Sequence, residues 1–241
     1  MNLIRGWVFI IMTFTLLLAG CTEGVGQMDQ QEEKEIKDKA IEYIKDKYNK
    51  EFKVTAVRRN RVTGTVYVDG IVKDGKDTDT MVFWEKSDEV DDNYVTSLWT
   101  DELSPRISPM INKHMEVRRI QNFVYGDGTK KSDYTGEVPS VFEVLESGGN
   151  PDYSLQVTFR IYEDDNQYET GLKNFLVELK DTGFNRIIVT IFVADDELKS
   201  ASEDVKESSY TLYRYNIVID DIQKVDIDSL DLDQYKTVIQ R

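Results

Sequence analysis

The stretch "YSLQVTFRIYEDDNQYETGLKNFLVELKDTGFNRIIVTIFVA" (153–194) constrains the fold more than any other part of the chain, because its hydrophobic period changes twice. Leu155, Val157, Phe159 and Ile161 alternate with polar residues, which is the pattern of a half-buried strand. Tyr168, Leu172, Phe175, Leu176 and Leu179 then recur at helical spacing, with Asp165 placed to cap the helix and Gly183 to stop it. "RIIVTIFVA" follows as the continuous apolar run of a central strand, and "SYTLYRYNIVID" alternates again. Just upstream, "EVPSVFEVLESGG" puts Val138, Val141, Phe142 and Leu145 on one helical face ahead of two glycines. Helix, strand, helix, strand, strand is an α+β order, with helices packed on antiparallel or mixed sheets.

The first half carries the same mixture. "EKEIKDKAIEYIKDKYNKEF" places Ile36, Ala40, Tyr43, Ile44 and Tyr48 on one face of a charged helix. The runs "FKVTAVRR", "RVTGTVYVDGIV" and "DTMVFWEK" then read as strands of a β-meander. In the second run Val62, Val66 and Val68 share a face and Gly64 marks a bulge. "TSLWTDELSPRISPMINKHMEVRRIQNFVY" reads as a further helix or broken pair. Asp101 or Ser104 is its candidate N-cap, Pro105 suits its first turn, and Leu103, Ile107, Met110, Ile111 and Met115 face inward. The expected organisation is an N-terminal unit over 34–125, a linker over 126–136, where "GDGTKKSDYTG" has no apolar period, and a C-terminal unit over 137–241. In outline, one helix on a meander is similar to the helix-on-curved-sheet modules of cystatin-like or peptidase-propeptide-like type, and that resemblance implies two such halves.

The chain opens differently. Arg5 is the only charge in residues 1–20, and "WVFIIMTFTLLLA" (Trp7–Ala19) is a 13-residue apolar run. A helical membrane span needs about 20 such residues, so this segment fits a secretory signal. It closes on "LAGC" (Leu18, Ala19, Gly20, Cys21), which resembles the lipobox of bacterial lipoproteins. The resemblance implies cleavage after residue 20, diacylglyceryl attachment to the Cys21 sulfur and acylation of the new terminus. Two or more acyl chains anchor a protein stably where one does not. "TEGVGQMDQQEE" (Thr22–Glu33) then reads as a polar, acidic tether, so that 1–20 is signal and 21–33 is lipidated tether.

Cys21 is the only cysteine, which excludes an internal disulfide, a cysteine-rich zinc site and a CxxC redox pair. The formal charge of −15 works against binding a phosphate backbone, so no nucleic-acid partner is expected. His114 is the only histidine and sits in an expected helix, where a surface or capping role is the ordinary one. No GxSxG elbow, Ser-x-x-Lys pair or glycine-rich phosphate loop is present, and "YGDGTKK" has too few glycines to make one. "IDDIQKVDIDSLDLDQY" gathers Asp220, Asp221, Asp226, Asp228, Asp231 and Asp233. It lacks the glycine and closing glutamate of a calcium loop and reads as a solvated acidic edge. Trp84 and Trp99 are placed for packing rather than for a binding platform, while Tyr210, Tyr213 and Tyr215 share one strand.

These features describe a lipid-anchored protein on the extracytoplasmic face of the cell membrane, without catalytic motif, metal or cofactor, that binds an envelope protein or polymer. It resembles the small uncharacterised surface lipoproteins of Gram-positive bacteria. The rival readings are a solute-binding lipoprotein of a transporter, which needs two lobes and a cleft, and a wall-active hydrolase, which needs a pair of converging acids.

Overall fold

The computed structural model describes residues 28–84, 89–126, 134–164, 168–202 and 204–239. The expected signal, Cys21 and most of the expected tether and linker lie outside these residues, as does the expected cap Asp165. The protein is α+β, with two sheets sharing a single hydrophobic core.

Helix α1 (Gln30–Tyr48) is capped by the Asp29 side chain, which accepts from the Glu32 N–H, and closes on Asn49 in the left-handed region. Glu32 and Glu33 in the first turn and Lys45 and Lys47 in the last complement the helix dipole. That capping starts the helix inside the stretch expected to be tether. Ala40, Ile44 and Tyr48 are buried against strands β1 (Glu51–Arg59), β2 (Val66–Lys73), β3 (Thr78–Trp84) and β4 (Val90–Asp92), which pair antiparallel in sequence order. Val66 and Val68 face inward as expected. Val62 does not: it is 89% exposed, in a turn that Asn60 organises by accepting from the Val62 and Thr63 N–H groups. Gly64 serves that turn at φ 76° rather than a bulge.

Of the two alternatives, a helix or a broken pair, the structure has the single helix α2, Tyr94–His114. Pro105 and Pro109 lie inside it on the exposed side, and its N-cap is Asn93, not Asp101 or Ser104. Each internal proline costs about 3 kcal/mol, which is offset by burying Tyr94, Val95, Leu98, Trp99, Leu103, Ile107, Met110 and Ile111 on the other side. The helix ends at His114, and the residues after it form strand β5 (Val117–Gly126).

The second sheet runs β5-β6-β7-β8-β9, with β6 (Ser154–Tyr162), β7 (Arg186–Ala194), β8 (Thr211–Ile219) and β9 (Lys236–Val238). Since β5 pairs with β6, the expected boundary at 126–136 falls between two strands of one sheet. Helix α3 (Val141–Glu146) begins with a capping box formed by Ser140 and Glu143. Helix α4 (Tyr168–Thr182) crosses from β6 to β7, the one parallel pair among the described strands, and Gly183 stops it at φ 96°. Leu155, Val157, Phe159 and Ile161 of β6 and Ile187, Val189, Ile191 and Val193 of β7 face the helices, all essentially buried. Helix α2 touches β3, β5 and α4, so it packs against elements of both sheets.

Candidate functional site

Among the described residues, helices pack on one side only of the second sheet and leave its other side largely open, and strand register sets what that side presents. Arg119, Arg160, Phe192, Arg214 and Thr237 fall opposite one another in a row from β5 to β9. The next row on the same side, two residues along β6, β7 and β8, is Asn122, Thr158, Thr190 and Asn216. A hydrogen bond of 3.2 Å between Thr190 Oγ1 and Asn216 Oδ1 confirms that these side chains share a face. Gln156, Ile188 and Val218 continue it.

The charge of this sheet differs from that of the whole chain. Its strands read VRRIQNFVYG, SLQVTFRIY, RIIVTIFVA, TLYRYNIVI and KTV, with cations at Arg118, Arg119, Arg160, Arg186, Arg214 and Lys236 and no acid at all. The chain as a whole has 45 acids against 30 Lys and Arg. The open side of the first sheet offers a contrast, since Arg58 and Lys73 there are matched by Asp69, Asp79 and Asp91. Arg58 forms a two-pronged bond to Asp69, each arm 2.7 Å.

At one end of the arginine row a single carboxylate holds three guanidinium groups. Glu207 comes from a 3-10 turn (Glu207–Tyr210) in the β7–β8 connection. Its Oε1 lies 3.2 Å from Arg118 Nε; its Oε2 lies 2.9 Å from Arg119 Nη2 and 3.2 Å from Arg160 Nε. The last two contacts are close enough for ion pairing, but neither Glu207 Oε2 nor Arg160 Nε makes an aligned hydrogen bond there. A register shift between Val117 and Arg119 turns Arg118 and Arg119 to the same carboxylate. Arg160 is the most enclosed of the three, with 5% of its side chain exposed; it donates to Thr211 Oγ1 at 2.7 Å and stacks over Phe192. Burial and the nearby Arg119 push the Arg160 pKa down, and Glu207 only partly restores it. Among the described residues, the cluster carries more positive charge than the Glu207 carboxylate neutralises. Arg119 and Arg214 project into solvent on either side of half-buried Phe192.

The residues singled out in the sequence fall elsewhere. His114 ends α2, and its Nε2 sits 2.6 Å from Glu178 Oε2, with Lys113 Nζ on the same oxygen at 3.1 Å; the pair ties α2 to α4 at the rim of a cleft of about 410 Å³. Trp99 is fully buried, donating from Nε1 to the Pro139 carbonyl oxygen among Tyr125, Tyr134 and Tyr153. Trp84 is half-buried against the core. Tyr215 is buried and shares hydrogen bonds with Tyr168 and Glu169, Tyr213 lies under Lys236, and Tyr210 packs with Leu198 in a small separate cluster. Of the acidic stretch, Asp221 caps a turn and Asp220 pairs with Arg186; among the described residues no group of three metal-ligating side chains is assembled. No described helix is long and apolar enough to cross a membrane.

No family model matches the chain, and no curated protein matches it. Among solved structures, a DUF5037 family protein from Ruminococcus gnavus is similar over 80% of this chain and 96% of its own, at 14% identity and a TM-score of 0.37. Likeness at that level carries no argument about function.

Proposed function

We propose that the protein is a lipid-anchored, extracytoplasmic binding module that acts without catalysis and holds an anionic component of the cell envelope on the open side of its second sheet. The observation that supports the binding surface is the sheet of acid-free strands on which Arg119, Arg160 and Arg214 fall in one row, on a chain of net charge −15. A strongly acidic protein repels anionic partners in general, and a local cationic face restricts their approach to one orientation. The LAGC motif ending at Cys21 supports the anchor. The acidic residues between that cysteine and α1 favour holding the folded part away from anionic headgroups.

Two measurements test this reading. Cys21→Ala is expected to release the protein from washed membranes or leave its signal uncleaved, and mass spectrometry of the mature terminus is expected to find a lipidated residue 21. Recovery of an unmodified Cys21 terminus from membranes contradicts the anchor. Sedimentation with isolated envelopes is expected to fall when Arg119 and Arg214 are both changed to alanine, and not when the exposed Lys39 and Lys53 are. Equal losses contradict the surface.

A further inference from the structure

Resting on that binding surface, we infer that its ligand is a carboxylate-bearing polysaccharide, lying across the strands with its carboxylates on the arginine row and its hydroxyls on the adjacent amide and hydroxyl row. Three features of the face lead to this chemistry. Glu207 already shows that a carboxylate is the kind of anion this cluster takes, its two oxygens shared among separate guanidinium groups without pairing all of them. Glu207 pairs with Arg119 as well as Arg160, but Arg160 is enclosed while 57% of the Arg119 side chain is exposed, so the guanidinium groups an external anion can reach are those of Arg119 and the exposed Arg214. These are three strand spacings apart, about 14 Å, which suits an extended oligosaccharide rather than one small ion.

The second feature is the row Asn122, Thr158, Thr190 and Asn216. Side-chain amides and hydroxyls both donate and accept, which matches sugar hydroxyls, and neighbouring strands repeat the pattern at a constant interval. The third is half-buried Phe192 between Arg160 and Arg214: Arg160 covers one face of its ring, and the exposed remainder offers an apolar contact for the carbon face of a sugar. An anionic lipid surface fits less well. It calls for flexible lysines and protruding apolar side chains, whereas the cations in these rows are arginines, the apolar residues Ile188, Phe192 and Val218 stand within the strands beside polar ones, and the β7–β8 connection covers Ala194 and Tyr162 at one end.

The test is calorimetric titration of the full mature protein, in neutral detergent, with four probes: polygalacturonate, a neutral glucan, poly-glutamate and mixed micelles containing phosphatidylglycerol. Polygalacturonate is expected to bind, to weaken with salt, and to lose about tenfold in affinity in Arg119→Ala/Arg214→Ala; Phe192→Ala is expected to weaken it as well. The variant Lys39→Ala/Lys53→Ala, which removes equal charge elsewhere, is expected to bind as the wild type does. Poly-glutamate binding as tightly as polygalacturonate, or micelles binding through the same arginines while polygalacturonate does not, overturns the inference. Its failure is separable from failure of the surface itself. Envelope sedimentation that depends on Arg119 and Arg214 without polygalacturonate binding removes the glycan and leaves the surface; sedimentation indifferent to those arginines removes the surface.

Discussion

Replacing Asp92 by alanine is expected to destabilise the protein more than removal of any exposed acid. Its side chain is fully enclosed and accepts from Tyr43 Oη at 2.9 Å, Tyr48 Oη at 3.0 Å, Lys47 Nζ at 2.8 Å and the Tyr94 N–H at 2.9 Å. One carboxylate thus ties α1 to the end of β4 and the start of α2. Burial and the neighbouring Asp92 both push the Tyr43 and Tyr48 pKa values far above the ordinary phenol, so both rings remain donors across the physiological range. Removing the carboxylate leaves Lys47, 14% exposed at its side chain, without its ion-pair partner. Breaking a buried pair of this kind costs about 3–5 kcal/mol, against about 0.2–1 kcal/mol for an exposed pair such as Arg58–Asp69. At a few degrees of Tm per kcal/mol for a chain of this size, the expected fall is roughly 6–20 °C. Urea titration followed by circular dichroism, with Asp69→Ala as the exposed control, measures the difference. Equal losses for the two variants refute the account of Asp92 as the tie between these elements.

Three further outcomes are expected. Pro105→Ala raises Tm, because Pro105 is exposed inside α2 and alanine restores a backbone donor to the Asp101 carbonyl without disturbing the buried face; an unchanged or lower Tm contradicts this. Gly171→Ala lowers stability although alanine is the better helix former, since its Cβ would come within 2.1 Å of the His114 carbonyl oxygen where α4 crosses α2; a more stable variant in thermal melts contradicts it. Hydrogen bonds from His114 and Lys113 hold the Glu178 pKa below its ordinary value of 4.5. A depressed carboxyl contributes stability above its unfolded pKa and loses it as pH falls through the folded one. The Tm gap between wild type and Glu178→Gln is therefore expected to be full at neutral pH and to close in acid, and a constant gap refutes the pairing.

The elements legible in the sequence were those with an unbroken period. β6, α4 and β8 bury the face their spacing marks and α1 buries Ala40, Ile44 and Tyr48 with Ile36 and Tyr43 partly covered, whereas β7, a continuous apolar run in the sequence, buries Ile187, Val189, Ile191 and Val193 and leaves Ile188 and Phe192 half-buried on the open side. Strand β5 was hidden because register shifts near Arg119 and between Ile120 and Asn122 destroy its alternation. The sequence leaves α2 open between one helix and a broken pair because Pro105 and Pro109 are local signals, whereas the burial of Trp99, Leu103 and Ile107 that overrides them is tertiary. The three-residue β4 is too short to show a period. The candidate surface has a signal in the sequence, namely the absence of acids from the strands of the second sheet in a chain full of them. Net charge averages that away, and only strand register shows that Arg119, Arg160 and Arg214 lie side by side. The reach of Glu207 back to Arg118, 89 residues earlier in the chain, has no local trace.

Arginine-selective labelling of the protein, free and bound to isolated envelopes, with mass spectrometry of each site, tests the proposed surface most directly. Protection of Arg119 and Arg214 on binding, with Arg58 and Arg106 labelled as before, is the predicted result. Undiminished labelling of Arg119 and Arg214 while the protein is bound would contradict it.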